Sequence, residues 1–148
     1  MNPNIRETKE TDFEAILKIF LTTELVGEWF TQDLFERILQ RNKGLFLVAE
    51  REGIVVGSIF ASHDGGYFGY IYKIAVLSQY QRQGIASALL KEVIDRFTKL
   101  SIDWYFGFVK NENLASKQLL AKFGIRQQRE YQLYDNWVKG MIREGCNE

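Results

Sequence analysis

Two stretches of the chain carry residue types at spacings that chemistry can use. The first is Gln81-Arg82-Gln83-Gly84-Ile85-Ala86-Ser87, placed where a strand-like apolar run gives way to helical spacing. A helix opening here leaves its first N–H groups without internal partners, and its macrodipole adds about half a positive charge, so the turn suits an anion such as a phosphate. Gly84 lets a ligand approach the backbone, Arg82 adds a positive charge and Ser87 a hydroxyl donor. An ordinary tight turn before a surface helix would use the same residues. The second stretch is Asn113-Leu-Ala-Ser-Lys-Gln-Leu-Leu-Ala-Lys-Phe-Gly124-Ile125, in which Asn113 opens a short helix and Gly124 ends it.

Other chemistries have little to work with. The chain has one Cys and one His, too few for a Cys/His metal cluster. Cys146 lies in the polar tail Arg-Glu-Gly-Cys-Asn-Glu, where nothing nearby would lower its pKa, so a nucleophilic role is not expected. His63 precedes Asp64-Gly65-Gly66, a hairpin-turn signal, and reads as a loop residue. Nineteen basic and nineteen acidic residues cancel, which removes the bulk electrostatic case for nucleic acid or an anionic membrane. The first residues lack the apolar run of a signal peptide, and no stretch approaches the about 18 apolar residues of a membrane span, so a cytoplasmic location is expected. A chain of 148 residues with 46% hydrophobic and 14% aromatic content suits one domain over 1–148.

The elements that must position these residues follow from periodicity. Asn4 to Glu7 reads as a short strand; Thr11 or Asp12 caps a helix with Phe13, Ile16, Leu17 and Phe20 on one face. A second helix is expected over Glu24 to Arg41, broken near Gly27 or Thr31. Leu45–Arg51 and Ile54–Ser62 read as strands joined by a Glu52-Gly53 hairpin, and Tyr67–Val76 as a longer strand after Asp64-Gly65-Gly66. The helix from Gly84 to Lys99 crosses to a strand over Ile102–Val109, which makes that last pair parallel. A helix from Asn113 to Phe123 and two strands, Ile125–Leu133 and Trp137–Arg143 around Asp135-Asn136, complete the order.

Gln81-x-x-Gly84-x-Ala86 after a strand ending Ile-Ala-Val resembles the acyl-CoA pyrophosphate loop of the GNAT superfamily of N-acyltransferases, and Asn113 to Ile125 resembles the family's later Asn-initiated helix. The resemblance implies an α/β (α+β) fold with a mixed central sheet of about six to seven strands, helices on both faces, and the order β-α-α-β-β-β-α-β-α-β-β. It also implies acetyl-CoA (coenzyme A) as cofactor. Ile74, Ala75 and Val76 would offer main-chain groups to the pantetheine arm, Gln81 through Ser87 would hold the pyrophosphate, and Asn113 with Ser116 would face the arm from the other side. The side chains of Ile74 and Val76 are plain core in either case, and Asn113 fits a helix cap equally well.

The reaction so implied is direct transfer of an acetyl group to a small-molecule or peptide amine without a covalent enzyme intermediate. At the proton-transfer positions the chain departs from the family pattern. Leu120 stands where many members have a tyrosine that protonates the thiolate, and Tyr70 and Tyr72 stand where several have a glutamate. Strand alternation points both tyrosines the same way. Tyr72 could donate to the thiolate or hold a water, whereas Glu24 or Glu28 could be the base; each glutamate also fits a solvated helix face. If some of Trp29, Phe30, Tyr67, Phe68, Tyr70, Tyr72, Tyr131 and Tyr134 line a cleft, they would suit an amine with an apolar or aromatic body. The departures leave room for a non-catalytic acyl-CoA-binding or sensing module, and exposed sheet edges for a homodimer.

Overall fold

The computed structural model describes residues 2–23 and 27–132. Strand β1 (Asn4–Glu7) leads through a 3₁₀ turn (Glu10–Asp12) to helix α1 (Phe13–Thr22), and helix α2 (Gln32–Arg41) comes after it. Next come β2 (Phe46–Arg51), β3 (Ile54–His63), β4 (Phe68–Val76), a second 3₁₀ turn (Ser78–Tyr80), α3 (Ile85–Lys99), β5 (Trp104–Phe106) and α4 (Leu114–Lys122). The strands form one mixed sheet in the order β1-β2-β3-β4-β5; neighbours are antiparallel except β4 and β5, which are parallel. The α3 crossover is what allows that parallel pair.

Both faces of the sheet are covered, which is why β2 reads as a continuous apolar run rather than an alternating one. Its Phe46 and Val48 join Phe13, Ile16, Phe20 and Phe35 of α1 and α2, while Leu47 and Ala49 join Leu89, Val93 and Phe97 of α3. The expected row Ile85, Leu89, Val93, Phe97 is buried throughout. Arg6 ties the edge strand to this frame through Glu50 (2.9 Å) and Asp12. Among the described residues no helix is long and apolar enough to cross a membrane.

The structure departs from the sequence reading at several places. Five strands stand among the described residues rather than six to seven. Residues 125–132 form no strand, because Arg126-Gln127-Gln128-Arg129-Glu130 offers no apolar side to bury against a sheet. The expected Trp137–Arg143 strand and its Asp135-Asn136 turn lie outside the described residues, as do Glu24, Tyr134 and Cys146. The second helix starts only at Gln32, where the Thr31 hydroxyl accepts from Leu34 N–H (3.3 Å), so Glu28, Trp29 and Phe30 belong to the preceding turn. Asp12 does not cap α1: its carboxylate turns back to accept from Arg6 (2.8 and 3.0 Å) and from Lys9 N–H (2.8 Å). Finally, β5 spans three residues, not Ile102–Val109.

Candidate functional site

β4 carries the site, and its register decides which side chains reach it. Pairing with β3 places Phe60 opposite Lys73 and then Ala61 opposite Ile71, so Tyr72 is the extra residue of a β-bulge. The bulge interrupts the period of two. Ile71 and Ile74 pack toward α3. Tyr72 and Lys73 both face the other side: Tyr72 stacks on Phe60 (centroids 4.6 Å apart) and meets Tyr70 edge-on (4.0 Å), and Lys73 Nζ lies 5.7 Å from the centre of the Trp29 ring. Burial lowers the Lys73 ammonium pKa from its ordinary value, and burial together with the neighbouring Tyr72 raises that of the Tyr70 phenol.

Beyond Tyr70, β4 pairs with no strand on the β5 side among the described residues. The parallel pairing covers Phe68 with Trp104, Gly69 with Tyr105 and Tyr70 with Phe106, and stops there. Gly107 passes so close to β4 that a Cβ would lie 2.7 Å from the Ile71 carbonyl oxygen. From that point the two segments part around a cleft of about 160 Å³. Ile71 to Ile74 form one wall, Phe108 to Lys110 the other, Leu90 of α3 reaches the base, and Asn113, Ser116, Leu119 and Leu120 close the α4 side. Gly107→Ala is expected to cost about 1–3 kcal/mol through overpacking against that carbonyl. Thermal melting should fall by several degrees, and an unchanged melting temperature would show that the close approach is not constraining.

The turn between β4 and α3 is braced by its own glutamines. Gln81 Nε2 donates to the Val76 carbonyl (3.0 Å), Gln83 Nε2 donates to the Gln79 carbonyl (3.1 Å), and Gln83 Oε1 accepts from Arg51. Two left-handed residues, Arg82 (φ 57°) and Gly84 (φ 80°), turn the backbone into α3, whose N-cap Gly84 has no side-chain capping bond. The first helical N–H groups are therefore available to an external acceptor. Ile85 is buried and Ala86 packs on the core, so what they offer a ligand is backbone. From this helix start to Leu90 at the cleft is about 7.5 Å, five residues at the rise of an α-helix.

A second, more open groove adjoins the cleft, with a volume of about 420 Å³. The β3–β4 turn supplies Ser62, His63 and Asp64, β4 supplies Phe68, Tyr70 and Tyr72, and Phe106 and Phe108 stand opposite. Tyr72 borders both openings. His63 Nδ1 accepts from Gly65 N–H (3.0 Å), while Asp64 Oδ1 accepts from the N–H groups of Gly66 (2.8 Å), Tyr67 (2.9 Å) and Phe68 (3.1 Å). Those bonds, from Gly66 and Phe68 above all, hold the Asp64 carboxyl below the usual range.

Tyr72, Ile74, Asn113 and Ser116 thus meet at one cleft, and Tyr70 meets Tyr72 at the groove. Asn113 is also a helix cap: its Oδ1 accepts from Ser116 N–H (3.0 Å). The side chains of Ala75 and Val76 are core. Gln81, Arg82, Gln83, Gly84 and Ser87 gather at the start of α3. Glu28 is exposed and lines neither opening. Sequence reasoning passed over Lys73, because alternation sends it to the face opposite Tyr72 and no residue type announces the bulge. It also took His63 and Asp64 for turn residues only; their place beside a strand rich in tyrosine was the available signal.

The model of the Acetyltransferase (GNAT) family matches residues 11–125. An acetyltransferase of Sodalis glossinidius (strain morsitans) is 37% identical over 133 residues, covering 89% of this chain and 89% of its own. The crystal structure of Ard1 from Thermoplasma volcanium superposes with a TM-score of 0.76 at 25% identity, over 84% of this chain and 82% of that one. The NatC complex bound to Gag peptide and CoA shares the fold, with a TM-score of 0.71 at 22% identity over 83% of this chain and 84% of that one.

Proposed function

Because the chain belongs to the GNAT acetyltransferase family, we propose that it moves an acetyl group from acetyl-CoA to an amine by direct attack within a ternary complex. The observation that carries this reading is the parting of β4 and β5 after the Tyr70–Phe106 pair, beside a helix that opens on an uncapped glycine. Such a site fits acetyl-CoA at both ends. The uncapped α3 start suits the diphosphate. The β4 edge beyond Tyr70 offers main-chain groups to an extended, amide-bearing arm in the way a sheet edge accepts an added strand.

Acetyl-CoA supplies the activated carbonyl: the amine nitrogen forms the new C–N bond, the C–S bond breaks, and the amine's proton ends on the departing thiolate. The backbone N–H groups of Ile74 to Val76 are the candidates for the oxyanion. Asn113 and Ser116 face the arm from α4. Leu120, in the wall on the α4 side, has no proton to give. The Tyr72 hydroxyl is the proton donor in this reading, since Tyr72 borders both the cofactor cleft and the groove through which an amine would arrive. Lys73, half-buried on the same face, supplies a positive charge toward the negative charge that develops there. The base in this reading is solvent or a water held by Tyr72, since Glu28 lines neither opening.

The test is release of free CoA thiol from acetyl-CoA in the presence of a panel of primary amines, with mass spectrometry of the products. Thiol release matched by an acetylated amine is the expected result. Tight acetyl-CoA binding with no release for any amine would replace this reading with that of a non-catalytic acyl-CoA-binding module.

A further inference from the structure

We infer that the open groove beside Tyr72 is the acceptor site, and that it takes a long primary amine carrying a second cationic group, of the polyamine type. This rests on the acyl-transfer reading above for where the reacting nitrogen ends, and on the groove itself for what holds the rest.

The groove presents aromatic faces and one carboxylate. Phe68, Tyr70 and Tyr72 rise from β4, and Phe106 and Phe108 face them; Tyr70 lies 5.2 Å from Phe106 and 5.7 Å from Phe108, ring centre to ring centre. All but Tyr70 are exposed, which leaves their rings accessible to a ligand. Exposed aromatic faces set in this way attract an alkyl ammonium through the ring quadrupole and its methylenes through dispersion. At the far end, beside Phe68, stands Asp64, the sole acidic residue among the described residues of the lining, which include no Lys or Arg. Asp64 spends Oδ1 on three backbone N–H groups, so the turn fixes its carboxylate in place, and among the described residues Oδ2 receives no hydrogen bond. The complementarity is to a cation, and an anionic tail would be repelled.

Length follows from the strand. Phe68 to Tyr72 is four residues of β4, about 13 Å at strand rise, so a ligand whose reacting nitrogen sits at Tyr72 reaches Asp64 only if it is long and extended. Its terminal nitrogen, neutral at the moment of attack, forms the C–N bond while the C–S bond breaks and the thiolate takes the proton. The other ammonium groups remain unchanged along the aromatic wall.

The experiment compares kcat/KM for spermidine, heptylamine and 7-aminoheptanoate, in the wild-type chain and in Asp64→Asn and Phe108→Leu. Asparagine keeps an Oδ1 acceptor for the turn, and thermal melting reports that each variant is folded. Spermidine should exceed heptylamine by about tenfold, as expected of one cation–π interaction plus one exposed ion pair, and 7-aminoheptanoate should fall below both. Asp64→Asn should collapse the spermidine-to-heptylamine ratio to below about threefold, and Phe108→Leu should reduce it. Equal use of the three amines, or a ratio that survives Asp64→Asn, overturns the inference even if transfer is robust. If no amine is acetylated, saturation-transfer NMR of spermidine on the CoA-loaded protein decides. A transfer signal in the wild type that disappears in Asp64→Asn supports the groove and sinks only the transfer reading, whereas no signal in the wild type, or one that persists in Asp64→Asn, overturns both.

Discussion

Tyr72→Phe is expected to lower kcat by about 10² to 10⁴ while leaving acetyl-CoA affinity within about twofold, the loss typical of removing a general acid. The substitution isolates the hydroxyl. The ring that stacks on Phe60 and meets Tyr70 edge-on is retained, so the packing that holds the side chain at the bulge is unchanged. Thermal stability should therefore stay near that of the wild type. Lys73→Met provides the contrast: removing a charge that only stabilises should reduce kcat by less than removing the donor does. A fall of less than about threefold in Tyr72→Phe would pass the donor role to water, since a true general acid is worth far more.

How far the site was legible depends on which physical feature carries each part. The turn into α3 could be read from Gly84 and the change of period around it, because a helix start at an uncapped glycine is a local property. The strand-helix-strand crossover was legible for the same reason, since Ile85, Leu89, Val93 and Phe97 fix the inner face of α3. The position of Lys73 was not. A bulge is a matter of pairing between β3 and β4, and Phe60 opposite Lys73 with Ala61 opposite Ile71 leaves no trace in composition. The early end of β5 is equally non-local: Trp104 to Val109 is apolar enough for a long strand, and it is the approach of Gly107 to the Ile71 carbonyl that marks where it turns away. Trp29 and Phe30 share helical spacing with the apolar residues of α2, but the Thr31 cap starts the helix after them. Residues 126–130 show the opposite error, an expected strand with no apolar face to hold it.

Gly84→Glu is expected to raise the dissociation constant for CoA by about 10² or more, with the fold preserved. Two effects add. Gly84 sits at φ 80°, a conformation that costs a side-chain-bearing residue about 1–2 kcal/mol. The new carboxylate also stands at the N-terminus of α3, where it competes with the diphosphate for the same N–H groups and repels it. A turn that relaxes to relieve this strain moves its N–H groups off the diphosphate, so strain reaches affinity through that displacement; a loss of 10² corresponds to about 2.8 kcal/mol. The protein should still fold, because a Cβ at this position meets nothing within 4 Å. Gly84→Ala separates the contributions: it carries the backbone strain without the charge, so it should weaken binding by about tenfold at most, and added salt should narrow the gap between the two variants by screening the repulsion. Calorimetric titration of CoA into the three proteins measures both. Affinity for CoA within about twofold of wild type in Gly84→Glu would remove the diphosphate from this turn, and with it the placement of the cofactor arm along β4.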